Sequence, residues 1–144
     1  MCGAPSAWRH AGAIRDAHPP TCCQVPLAIA TRNTPRGVNA MLRAAGLPPD
    51  TFDPVLTRES PFPEKPDPAI VLAACAAWGV PPDTCLMVGD TMDDMRCGSG
   101  AGCGTCLIRP PSDDVLSEDG SLVDFVIHSL CELEAMINDA LEAS

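Results

Sequence analysis

Aromatic residues are nearly missing from this chain: they make up 3% of it, with two Trp, three Phe and no Tyr. Any core must therefore be built from Ala, Val, Leu, Ile, Met and Cys. Basic residues are scarce as well. Nine Lys and Arg stand against nineteen Asp and Glu, a formal charge of −10. That balance excludes a nucleic-acid partner, because phosphate backbones are held by clustered Lys and Arg. No basic residue follows Arg109, and residues 110–144 read as a solvated, acidic surface. No apolar run approaches the roughly 20 residues that span a bilayer, so no membrane partner is expected. No secretory signal opens the sequence.

The 144 residues suit one domain, and 46% of them are apolar, enough for a packed core. Sixteen prolines forecast many turns and abrupt helix starts. The nine cysteines are odd in number and irregularly spaced, which argues against a secreted disulfide framework. Cys75, Cys85 and Cys106 sit in apolar runs, where Cys acts as a small hydrophobe. An intracellular, reducing setting is expected, most simply the cytoplasm. Residues 1–24 show no clean periodicity; a helix over 7–17 and an organelle transit segment are both open readings.

From residue 25 the pattern sharpens. An apolar run over 25–31 predicts a buried strand that ends in Thr31-Arg32-Asn33. Pro35 opens a helix with Val38, Met41, Leu42 and Ala45 on one face, and Gly46 ends it. A short strand follows at 52–56, then an irregular loop at 60–68 holding four prolines. A helix runs from Pro68 to Trp78, a strand over 84–88, a helix over 93–101 and a strand over 104–108. A last strand at 122–127 leads to a helix over 130–141, with Leu133, Ile137 and Leu141 on one face. Strands alternating with helices imply an α/β fold: a three-layer, Rossmann-like parallel sheet covered on both faces.

Ligands of such sheets bind beyond the carboxyl ends of the strands. There stand Thr31, Arg32 and Asn33, all able to donate to a phosphoryl oxygen. Gly89-Asp90-Thr91-Met92-Asp93-Asp94 gathers three carboxylates in five residues, a pattern suited to a hard divalent cation such as Mg²⁺. Lys65 lies in Glu64-Lys65-Pro66-Asp67-Pro68, where the prolines limit its freedom. Each feature alone has a plain explanation as helix cap or surface residue. Cys103-Gly104-Thr105-Cys106 leads into a strand and has no second pair, so buried thiols are favoured over zinc or redox chemistry. His128 is expected to be packed or hydrogen-bonded rather than a ligand.

Taken in order, residues 27–33, 64–68 and 88–94 resemble the second, third and fourth signature motifs of haloacid-dehalogenase-like hydrolases, in a phosphoglycolate-phosphatase-like form. The resemblance covers residues 25–133, after an irregular segment at 1–24 and before a helix end and tail at 134–144. It implies a Mg²⁺-dependent phosphomonoester hydrolase acting on a small phosphorylated metabolite. Thr31, Arg32, Asn33 and Lys65 would bind phosphate, with Asn33 also shaping its loop. Lys65 and Asp90 would be catalytic. Asp90 would ligate the metal, and Asp94 would support the metal or Lys65.

The family's first motif, an apolar strand ending in Asp-x-Asp-Gly-Thr, has no match here, and neither has the helical cap that follows it. That strand supplies the nucleophile and sits between the strands ending at Thr31 and Asp90. A core truncated at this strand is thus expected to hold Mg²⁺ weakly and to turn over little or nothing. A non-catalytic phosphate- or partner-binding module is the alternative. The incomplete sheet leaves self-association open.

Overall fold

A computed structural model describes residues 25–112 and 120–143 of the chain. The helix expected over 7–17 lies outside the described residues. Among the described residues five short strands and four helices follow in order, alternating up to β4: β1 (Ile29–Ala30), α1 (Pro35–Ala44), β2 (Val55–Leu56), α2 (Ala69–Trp78), β3 (Leu86–Gly89), α3 (Met92–Ala101), β4 (Gly104–Ile108), β5 (Phe125–Ile127) and α4 (Leu130–Glu142). Single 3₁₀ turns at Pro82–Thr84 and Gly120–Leu122 lead toward β3 and β5. All strand pairs are parallel, as α/β alternation requires.

As expected of a core truncated between the strands ending at Thr31 and Asp90, the described strands form two ladders. β1 pairs with β2, while β3, β4 and β5 form a second ladder in that order. The reason lies in the direction of the backbone groups, which alternate along a strand. Ile29 and Thr31 donate to Pro54 and Leu56, so Ala30 turns its peptide group away from β2. Gly104 donates to the Cys85 carbonyl, so Leu86 and Val88 turn theirs away from β4. Two strand edges are thereby left without a strand between them among the described residues. This also shortens the strand predicted over 25–31 to Ile29–Ala30, since a ladder on one flank orders fewer residues than ladders on two.

One core nevertheless joins both ladders. Ile70, Val71 and Cys75 of α2 pack with Cys97 and Ala101 of α3 and with Cys103, against Ala30, Leu56 and Met87 from the strands. β4 is the most enclosed strand, with Thr105, Cys106 and Leu107 buried. Thr105 is tolerated there because its hydroxyl donates to Leu122 O at 2.6 Å and its amide to Asp124 Oδ2 at 2.9 Å.

Local signals set the helix ends. Thr34 caps α1 by accepting from the Gly37 amide at 3.1 Å, and Pro35 takes the first turn. Val38 and Leu42 are buried, each stabilising by about 1.5–3 kcal/mol. Met41, expected on the same face, is exposed. Gly79 and Gly102 end α2 and α3 in the left-handed conformation. Within the glycine-rich stretch 98–104, Gly98 lets α3 approach β3, because a Cβ there would overlap Met87. On α4, Leu133, Ile137 and Leu141 share a half-buried face, as their spacing predicts.

Candidate functional site

The carboxyl ends of β1 and β3 meet the loop before α2, and Lys65 joins them. Its Nζ donates to Ala30 O at 3.1 Å and to Asp94 Oδ1 at 2.6 Å. Both side chains are nearly enclosed, 12% exposed for Lys65 and 8% for Asp94. The loop is fixed to α3 below: Cys97 Sγ donates to Asp67 O at 3.1 Å, and burial pushes this thiol's pKa up, keeping the donor protonated. Asp67 Oδ1 also accepts from the Ala69 amide at the start of α2, at 2.9 Å.

Asp94 is fully engaged. Its second oxygen accepts from Thr91 Oγ1 at 2.9 Å, while its own amide donates back to Thr91, a reciprocal cap on α3. Gly89 makes this possible: a Cβ there would sit on the Asp94 carboxylate. Glycine is needed at 89 for that close approach, not for a left-handed turn.

Arg32 forms a second bridge between the strand ends, donating to Lys65 O at 2.6 Å and to Asp93 Oδ2 at 2.8 Å. The guanidinium holds the Asp93 carboxyl below the usual carboxylate range. Thr31 Oγ1 accepts from the Asn33 amide at 3.1 Å, which leaves its hydroxyl hydrogen available. Asn33 turns inward on its own loop: its Oδ1 accepts from the Thr34 amide at 2.8 Å, and its Nδ2 reaches Met41 Sδ. Asp90 is exposed, with no hydrogen-bond or ion-pair partner among the described residues.

Thr31, Arg32 and Lys65 line a hollow of about 20 Å³, a volume for a water rather than an ester. A wider, open hollow of about 390 Å³ lies between α1 and β2, lined by Pro35, Asn39, Leu42 and Thr57, and carries no comparable cluster of charge. A hard cation wants several oxygen ligands. With Asp94 held by Lys65 and Thr91, and Asp93 by Arg32, Asp90 is the one free carboxylate of the acidic motif. No group of three His, Cys, Asp or Glu side chains poised for a metal occurs among the described residues. Those residues do not by themselves fit a complete Mg²⁺ site.

Thr31, Arg32, Lys65, Asp90 and Asp94 thus occupy one rim, while Asn33 faces its own loop. Sequence reading missed Thr91 as the holder of Asp94, although Thr-x-x-Asp ahead of a helix is a capping-box spacing that could have exposed it. Cys103 and Cys106, expected as buried thiols, are both buried. Cys103 faces α2, whereas Cys106 is pushed up to about 11 by burial with the Glu132 charge adding to it. His128 Nδ1 bonds Arg109 O at 2.9 Å.

The sequence profile of haloacid dehalogenase-like hydrolases matches residues 22–102. This chain belongs to that family. A haloacid dehalogenase-like hydrolase domain-containing protein of Arabidopsis thaliana is 38% identical over 91 residues, covering 60% of this chain and 36% of its own length. The phosphoglycolate phosphatase of Thiobacillus denitrificans is 29% identical over 121 residues, covering 79% of this chain and 50% of the relative. Among solved structures, CbbY of Rhodobacter sphaeroides in complex with phosphate aligns with a TM-score of 0.64 at 28% identity, covering 76% of this chain and 48% of CbbY. The chain spans half or less of the length of these relatives.

Proposed function

We propose that this chain is the phosphoryl-gripping part of a phosphomonoester hydrolase site, able to bind a phosphate group but to hydrolyse its esters weakly or not at all alone. Lys65 is the observation that carries this. An ammonium has three N–H donors, and two of them are taken by Ala30 O and Asp94. The third is free to meet an anion at the rim, where the Thr31 hydroxyl can donate beside it. Two relatives, a phosphoglycolate phosphatase and a protein solved with bound phosphate, handle phosphate by their names, which supports the same ligand class here.

The chemistry stops short of turnover for a stated reason. Covalent phosphoryl transfer needs an activated nucleophile. Lys65 is paired with Asp94, Thr31 has no base against its hydroxyl among the described residues, and no Asp-x-Asp-Gly-Thr segment exists in the sequence. Mg²⁺, if bound, would screen phosphoryl charge, and Asp90 is the residue that would hold it. The second reading, a binding module with no reaction, is favoured by the narrowness of the hollow beside Arg32 and Lys65, about 20 Å³.

Titration with inorganic phosphate followed by ³¹P NMR, with and without Mg²⁺, tests the proposal. Binding that disappears in Lys65→Met and loses its Mg²⁺ enhancement in Asp90→Asn is the expected result. Turnover of an aryl phosphate by the intact chain, abolished by Asp90→Asn, would instead establish catalysis and discard the binding-only reading. Phosphate binding that ignores Lys65→Met would sink the site itself.

A further inference from the structure

At the opposite rim, where β3 and β4 begin, three thiols meet. Cys75 lies in the last turns of α2, Cys85 directly precedes β3, and Cys103 directly precedes β4. Cys75 Sγ stands 3.4 Å from Cys85 Sγ and 4.0 Å from Cys103 Sγ. The backbone holds them there: Gly104 donates to Cys85 O at 3.0 Å, and Val80 donates to Cys75 O at 3.2 Å. Cys75 and Cys103 are buried, whereas Cys85 is partly open to solvent. Neither the phosphoryl-binding rim nor its proposed chemistry uses any of the three.

We propose that Cys85 and Cys75 form a peroxide-reactive dithiol that closes to a disulfide, with hydroperoxides as the oxidant. In the first step the Cys85 sulfur attacks one peroxide oxygen. The O–O bond breaks, and the leaving oxygen takes up a proton as water or alcohol. Cys85 becomes a sulfenic acid. The Cys75 sulfur then attacks the Cys85 sulfur, the S–O bond breaks, and the hydroxide leaves with the Cys75 proton as a second water. Two thiols have lost two electrons, and the hydroperoxide has gained them.

The division of roles follows from the surroundings. Hydrogen bonding with Cys103 and with Cys75, whose thiol donates to Cys85, outweighs partial burial and the nearby Asp83 charge and pulls the Cys85 pKa down to about 6, while the Thr84 hydroxyl donates to Pro81 O. Burial and the hydrogen bond to Cys85 push Cys75 up to about 11, and Cys103 is pushed up further by its neighbours. The accessible Cys85 is thus the attacking sulfur, and the buried Cys75 in contact with it is the resolving one. The sulfurs must close from 3.4 Å to about 2.0 Å, a change within reach of side-chain rotation at van der Waals contact.

Peptide mapping by mass spectrometry of the full chain after equimolar hydrogen peroxide tests this. The expected product is a Cys75–Cys85 link two hydrogens lighter than the thiols, formed before the exposed Cys131 is modified. In Cys75→Ser the sulfenic acid at Cys85 should accumulate and be trapped by dimedone; in Cys85→Ser the link should be absent. On the unaltered chain, iodoacetamide at pH 7 should label Cys85 at least about tenfold faster than Cys131, with a rate that climbs through pH 6. Labelling no faster than that of Cys131, or a wild-type link from Cys85 to Cys103 in place of Cys75, would overturn the assignment.

Discussion

Lys65 and Asp94 show how much one pair can hold. The ammonium ties the end of β1 to the first turn of α3, and the carboxylate is shared with the Thr91 cap. Both charges are nearly out of water, so losing one partner leaves the other without compensation. Lys65→Met should therefore destabilise the chain by about 3–5 kcal/mol. Adding Asp94→Asn should restore most of that loss, because the amide oxygen still accepts from Thr91 and no charge is stranded. Urea unfolding of the single and double variants measures the difference. A single variant as stable as the parent would show that the pair is not closed in solution. By contrast, the exposed Arg32–Asp93 pair is worth little to stability.

Among the elements, α3 is placed by small residues on the side facing the strands and by its cap. Gly89→Ala would put a methyl group into the Asp94 carboxylate, at the junction of β3 and α3. Overpacking of this kind costs about 1–3 kcal/mol, and here it would also loosen Lys65. Gly100→Ala sits in the same stretch with ordinary contact to Pro68, the nearest atom at 3.5 Å. There the better helix former should be neutral or stabilising by up to about 1 kcal/mol. Opposite signs in thermal unfolding are expected; a loss at both positions would mean the glycines act through something other than the space at 89. The same elements show what was readable in advance. Thr34-Pro35, Ser129 and the glycines after α1, α2 and α3 are local signals, and the helices start and stop beside them.

At the scale of the whole molecule, the described strands form two parallel ladders over one core, and the described residues leave an opening at the inner edges of β1 and β3. Leu86 and Val88 turn their amides toward that opening, whereas the residues of β4 have strands on both sides. All four residues of β3 are half-buried, although its sequence is as apolar as a central strand. Amide hydrogen exchange should therefore be much faster at Leu86 and Val88 than at Cys106 and Leu107. Protection of Leu86 and Val88 in dilute chain would mean that a further strand covers this edge. Protection that grows with protein concentration would mean that a second copy does, as expected of an open strand edge. No helix among the described residues is long and apolar enough to cross a membrane.

The sequence by itself determined the order of strands and helices and the helix boundaries, because these depend on neighbours a few residues apart; that Thr31, Lys65, Asp90 and Asp94 share one rim was implied only by the family resemblance. What it could not determine depends on residues far apart in the chain. The resemblance implied Asp94 as a support for the metal or for Lys65; the tertiary structure decides for Lys65, because α3 brings the carboxylate under the loop at 65, 2.6 Å from the ammonium, and Thr91 holds its other oxygen. The cysteines sort themselves by the face on which they land: Cys103 joins Cys75 of α2, not Cys106 three positions on, because strand geometry sends those two side chains to opposite sides. The division of the sheet is likewise a matter of long-range pairing. A strand's hydrogen bonds belong to whichever strand lies beside it, and for the inner edges of β1 and β3 the described residues provide none.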